Sequence, residues 1–256
     1  MPNASLFCEE IEKNGFATGE AVVSAAEVEE LRAAINQIKE QARVRKKIGV
    51  FAVRNLLEES PEVRKLACSP VMRRLIESVL GTECQAVRGI LFDKVPDANW
   101  KVPWHQDVTI AVQRRIESEG FGPWSMKGDV LHVQPPAAVL EKMLSVRLHL
   151  DTCGEANGAL RVIPGSHRWG RIAEEQIPSI RATTSEHACV MGIGDVLLMR
   201  PLLLHASSAS RVPDHRRVVH LDFAAAQLPP GMGWFSEPRV REFPTNGSSG
   251  ALTTHT

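Results

Sequence analysis

From Cys84 onward the chain is a succession of short β-branched and apolar runs cut by Gly, Pro, Asn and Asp, a pattern that confines it to a sheet-rich core. The runs cover residues 85–94, 104–112, 143–151, 158–163, 188–191, 195–199 and 216–226. Ahead of them residues 16–23 read as a short strand, and the pattern then turns helical. Ser24 and Glu27 have capping-box spacing before a helix with Val28, Leu31, Ile35 and Ile38 on one face. Ser60-Pro61 and Ser69-Pro70 each place a capping hydroxyl before a proline at the first helical position, and Gly81 ends the second of these helices. Helices in front and many short strands behind predict an α+β domain, mainly β, built on a double-sheet barrel.

A chain of 256 residues fits one such domain, expected over 1–228, with 229–256 as a loosely ordered extension ending in TNGSSGALTTHT. The stretch 113–142 is too long for a hairpin connection and is expected to be an irregular lid, with Phe121 and Trp124 beside glycines. Thirty basic and thirty acidic residues cancel, so no long-range field favours nucleic acid or an anionic membrane. Five cysteines without a CxxC pair read as reduced thiols. No run reaches the eighteen or so apolar residues of a membrane span, and no leader pattern opens the chain. The cytoplasm is the expected compartment.

Trp104-His105-Gln106-Asp107 begins a predicted strand, where period-two alternation turns His105 and Asp107 to one face. His205 follows an apolar run in MRPLLLHASSAS and is the candidate third ligand. Two imidazoles and one carboxylate form the facial triad of non-haem iron(II), with positions left for a bidentate oxo-acid and dioxygen. With nine histidines and thirty acids in the chain, HxD alone also arises by chance as a hydrogen-bonded surface pair. Arg216, eleven residues after His205, opens a further strand. If buried it needs an anion, and its planar fork suits the far carboxylate of a dicarboxylate chelated to the metal.

Taken together, NGFATGEAVVSAAEVEELR, FDKVPDANWKVPWHQD, NGALRVIPGSHRWG, GDVLLMRPLLLHASSAS and the strand from Arg216 resemble the phytanoyl-CoA dioxygenase family of iron(II)- and 2-oxoglutarate-dependent oxygenases, over about residues 10–228. The resemblance implies a double-stranded β-helix, a cupin-like jelly roll. It also implies iron(II) on His105, Asp107 and His205, and 2-oxoglutarate on Arg216 with help from the Ser207 hydroxyl. Because relatives that halogenate replace the carboxylate ligand with a small residue, Asp107 points to hydroxylation or a related oxidation. Two positions depart from the family. Arg147 stands where members often carry a tryptophan against the cosubstrate, and Ala52 near the place of a cosubstrate-binding lysine, with Arg54 two residues on.

Arg147 is taken as a cofactor-binding residue and Arg54 as a substrate contact; if buried, both favour an anionic small-molecule substrate. Lys94, at a strand end, is open to a pocket role or a surface ion pair, and the surface pair is the expectation; His167 of PGSH is expected to be structural, and His132 and Gln134 either to approach the substrate from the lid or, as is usual in an irregular loop, to be solvated. Two rivals stay open: a cupin-like metal enzyme that does not use 2-oxoglutarate, and a non-catalytic metal- or small-molecule-binding module.

Overall fold

The computed structural model describes residues 4–40, 45–47, 50–53, 55–94, 100–211 and 215–236. The strands in chain order are β1 (Phe16–Gly19), β2 (Arg45–Lys47), β3 (Val50–Val53), β4 (Gln85–Lys94), β5 (Val102–His105), β6 (Ile110–Val112) and β7 (Trp124–Lys127). They continue with β8 (Val130–Val133), β9 (Met143–His149), β10 (Leu160–Val162), β11 (His187–Cys189), β12 (Val196–Met199), β13 (His205–Ser207) and β14 (Arg216–Ala224). Seven form a large sheet in the order β1-β12-β9-β14-β4-β3-β2, four form a second sheet in the order β11-β10-β13-β5, and β6-β8-β7 form a third. Every pairing is antiparallel.

The large sheet is two-sided because successive side chains of a strand point to opposite faces. Leu91 of β4, Leu144, Val146 and Leu148 of β9, and Val219, Leu221 and Phe223 of β14 form one core cluster. The helices supply the other half of that core. Helix α1 (Ala4–Asn14) gives Phe7 and Ile11, α2 (Ala25–Glu40) gives Val28, Leu31 and Ile35, and later helices through Pro70–Leu80 give Val63, Met72 and Ile76. These caps form as the sequence predicts. Ser24 and Glu27 bond reciprocally, and the Ser60 and Ser69 hydroxyls accept from the Val63 and Met72 amides at 3.2 and 3.4 Å. On the opposite, inner face β9 presents Ser145, Arg147 and His149, β14 presents Arg216, His220 and Asp222, and β4 presents Arg88, Ile90, Phe92 and Lys94. Both helical packing and polar lining thus come from the same three strands.

The architecture is the expected double-stranded β-helix, with three local differences. The strand expected over 104–112 is broken between β5 and β6, with 106–109 outside both. The stretch 113–142 is not irregular: it contains β7, β8 and a short helix, Ala137–Leu140. Its apolar residues pack with Ile110, Val112, Leu202, Met232 and Trp234 in a separate cluster. The boundary expected at 228 also falls short, because Gln113 and Arg114 donate to the carbonyls of Gly233 and Met232, and Phe235 to that of Ala111. Residues 237–256 and Arg54 lie outside the described residues.

Candidate metal centre

His105 ends β5 and His205 begins β13, and the two face each other across the sheet as registered partners with ring centroids 4.3 Å apart. Asp107 reaches them from the break after β5. Its amide donates to the carbonyl of Pro201 at 2.9 Å, which fixes the turn. Asp107 Oδ1 is 3.8 Å from His105 Nε2, and Oδ2 is 3.7 Å from His205 Nε2. Among the described residues these three are the one group of His, Cys, Asp or Glu whose ligand atoms all lie within 4.8 Å.

The tautomers suit a metal. His105 Nδ1 lies 2.9 Å from the carbonyl of Pro103 and His205 Nδ1 lies 2.8 Å from that of Leu203. A carbonyl only accepts, so each Nδ1 carries the proton and each Nε2 lone pair points toward Asp107. Burial, opposed by Asp107, pushes His205 down to about 4, which keeps it neutral near pH 7. Burial alone would raise Asp107, but the two imidazoles hold its carboxyl below the usual range. Two ligand atoms each about 2.1 Å from one ion are at most about 4.2 Å apart, so both carboxylate-to-imidazole separations fit a single ion.

Sequence reasoning missed what holds this cluster. Gln106, between His105 and Asp107, is buried; its amide nitrogen donates to Leu202 O at 2.6 Å and Gly170 O at 2.8 Å, while its oxygen accepts from the Ile172 amide at 2.8 Å. The only signal was its position, pointing away from the metal side on a period of two.

The triad opens on a cavity of about 200 Å³, lined also by Arg147, Ser207 and Arg216, which are all buried. Arg216 points inward and donates to the carbonyl of Gly158, whereas its neighbour Arg217 points outward onto Asp151 at 2.7 and 2.8 Å. Gly158 has a φ of +68°, and a Cβ there would lie 2.4 Å from Ser208 O, so the Asn-Gly turn that buttresses Arg216 admits only glycine.

The surface ion pair expected of Lys94 is not formed. Lys94 is 1% exposed, is registered opposite Arg216, and donates to Ser207 Oγ at 2.9 Å and Ser208 O at 2.7 Å. Burial, and then Arg216, pushes its ammonium down to about 7. Arg147 lies at the middle of the inner face, over Phe92, with its Nη1 3.2 Å from His220 Nδ1. His220 Nε2 in turn donates to Asp222 at 2.9 Å, which settles its tautomer and leaves Nδ1 to accept from Arg147.

His132 is buried in β8 rather than solvated. His167 sits in the turn after β10 and takes no part in the triad.

A double-stranded β-helix with two histidines and an aspartate converging at one mouth defines a cupin-like metal-centre barrel. A family model described as phytanoyl-CoA dioxygenase matches residues 11–218, and the chain belongs to that family. It is 22% identical over 254 residues to the peroxisomal phytanoyl-CoA dioxygenase of Mus musculus, covering 84% of this chain and 66% of that protein. It is 34% identical over 103 residues to the iron/alpha-ketoglutarate-dependent dioxygenase ausO of Aspergillus calidoustus, covering 39% of this chain and 33% of that one. The chain thus spans between a third and two-thirds of the length of these curated relatives. Among solved structures, the epimerase SnoN in complex with Fe3+, alpha ketoglutarate and nogalamycin RO aligns with a TM-score of 0.69 at 17% identity, over 98% of this chain and 96% of that one.

Proposed function

We propose that the protein is an iron(II)- and 2-oxoglutarate-dependent oxygenase that hydroxylates an unactivated C–H bond of a small, anionic molecule. The observation that carries this reading is the pairing, in one cavity, of a metal-ready triad with the buried Arg216, behind which Lys94 is buried against Ser207. Arg216 and Lys94 have no carboxylate within 4 Å among the described residues, and Arg216 Nε is buried without a partner. Adjacent buried cations are costly unless an anion joins them.

In this reading His105, Asp107 and His205 hold the iron. Arg216, Ser207 and Lys94 hold the distal carboxylate of 2-oxoglutarate, and Arg147, oriented by the His220–Asp222 pair, stands between that end and the metal. When bound, iron with 2-oxoglutarate and dioxygen supplies a two-electron oxidation in which one oxygen atom enters the substrate and the other enters succinate, with loss of carbon dioxide. The chain's own contribution is placement. It keeps both Nε2 lone pairs on the metal side, keeps His205 neutral and surrounds the cosubstrate with fixed positive charge. Asp107 completes the coordination with a carboxylate and so favours hydroxyl transfer.

The test is anaerobic addition of iron(II) and 2-oxoglutarate, watched for the weak visible band of the chelate, with Asp107→Ala and Arg216→Ala as controls. A band lost or weakened in both variants supports the reading. Its absence from folded, iron-loaded protein refutes it and leaves a metal enzyme independent of 2-oxoglutarate, or a binding module.

A further inference from the structure

β4 carries cationic residues at both ends of its inner face. Arg88 and Lys94 are six residues apart, about 20 Å along a strand, with Ile90 and Phe92 between them. Lys94 belongs with Arg216 and Ser207 at one end. Arg88 lies at the other end of the same cavity, registered opposite Asp222.

The guanidinium of Arg88 is unlike the other inward arginines. Its side chain is 12% exposed, its Nε is buried without a partner, and no hydrogen bond reaches its fork among the described residues. The nearest carboxylate is Asp222 Oδ2, 3.8 Å from Nη1, which is too far for a hydrogen bond. Asp222 is already engaged through Oδ1 by Ser145 Oγ at 2.6 Å and His220 Nε2 at 2.9 Å. A buried guanidinium balanced in charge but not in hydrogen bonds is suited to a planar oxyanion that accepts in two parallel bonds. Beside it the lining turns apolar, with Ile90, Leu140, Met143 and Pro201.

We propose that Arg88 anchors a carboxylate of the primary substrate, so that the enzyme oxidises the apolar chain of a small carboxylic acid. The assignment rests on the oxygenase reading, which places 2-oxoglutarate at the Lys94–Arg216 end and leaves the Arg88 end to the second reactant. A monoanionic carboxylate suits the site better than a phosphate, because Asp222 beside the fork repels a second negative charge. Fixed at Arg88, the acid would present carbons of its chain toward the metal, and its length would decide which carbon is oxidised.

The test uses the wild type, Arg88→Met and Arg88→Lys, each loaded anaerobically with iron(II) and 2-oxoglutarate so that the chelate band is recorded first. Each is then titrated with straight-chain carboxylates of butanoate to octanoate length, with their primary amides and with matched alkyl phosphonates, following the band. The expected result is that a carboxylate binds the wild type at least about tenfold more tightly than its amide, the size of a charge-assisted contact. That gap collapses in Arg88→Met and is partly kept in Arg88→Lys, which retains charge without the fork.

Acids and amides that bind alike across the series, or a preference that survives in Arg88→Met of wild-type melting temperature, would overturn the assignment while leaving the oxygenase reading intact. Tighter binding of the phosphonates would overturn the choice of a carboxylate. Absence of the chelate band in the wild type would remove both readings together.

Discussion

Replacing Lys94 by methionine keeps the length of the side chain and removes its charge. Two of the three ammonium protons are committed to Ser207 Oγ and Ser208 O, which leaves one for the distal carboxylate of 2-oxoglutarate. A hydrogen bond to a charged group contributes about 1.5–3 kcal/mol, so Lys94→Met should weaken 2-oxoglutarate by roughly ten- to a hundredfold. An oxo-acid of the same length without the distal carboxylate, 2-oxovalerate, should lose almost nothing.

The ammonium sits at about 7 before the anion arrives. The anion binds the charged form, so above that value binding must take up a proton. Affinity should be flat below pH 7 and fall about tenfold per unit above it. Calorimetry with nickel(II) in place of iron, in buffers of different ionisation enthalpy, measures both the constants and the proton uptake. The reasoning fails if Lys94→Met binds 2-oxoglutarate within about twofold of wild type, or if the wild-type constant does not change between pH 7 and 9.

Gln106→Leu should leave the three ligands in place but loosen the turn that presents Asp107. Metal affinity should fall about ten- to a hundredfold, read by competition with a chromophoric chelator. Asp151 binds both Arg217 and Arg32 and is held below the usual carboxylate range against the effect of burial. Its contribution is therefore present near neutrality and lost as pH falls through its folded value. Asp151→Asn should cost about 3 kcal/mol at pH 7 in urea unfolding and flatten the acid side of the stability curve. Trp124→Ala with Phe121→Ala should raise 2-oxoglutarate consumption relative to product, by the ratio of succinate to oxidised substrate; an unchanged ratio dismisses the cover role of the third sheet.

The patterns that repeat locally were legible in the sequence. The serine caps and the apolar face of α2 follow from spacing, and β9 and β14 from their β-branched and apolar runs, because each depends on neighbours a few residues away. The convergence of His105, Asp107 and His205 was also accessible, since they sit in recognisable motifs, although for a partly wrong reason. His105 and Asp107 share a direction because the chain leaves the strand after His105 and is tied to Pro201, not because a strand continues. Lys94 and Gln106 were misread or passed over for one cause. A long polar side chain is expected outside, and only contacts with residues about a hundred positions away bury these two. The third sheet was hidden likewise, because β6 finds part of its support in Met232 and Trp234 at the far end of the chain.

The strands at the centre of the large sheet separate two kinds of selection. On β4, β9 and β14 the odd and even positions answer to different demands: one set must fill space against helices, and the other must meet whatever occupies the barrel. Inward residues such as Arg88 and Arg147 line the cavity and are not members of the cluster that holds Leu91, Val146 and Leu221, a division under which the reaction can change while the scaffold endures. A shape kept at 17% identity alongside an epimerase is what such a division allows. The alternation of the strand is in this sense a hinge for molecular evolution, along which new chemistry can turn without unfolding the old frame.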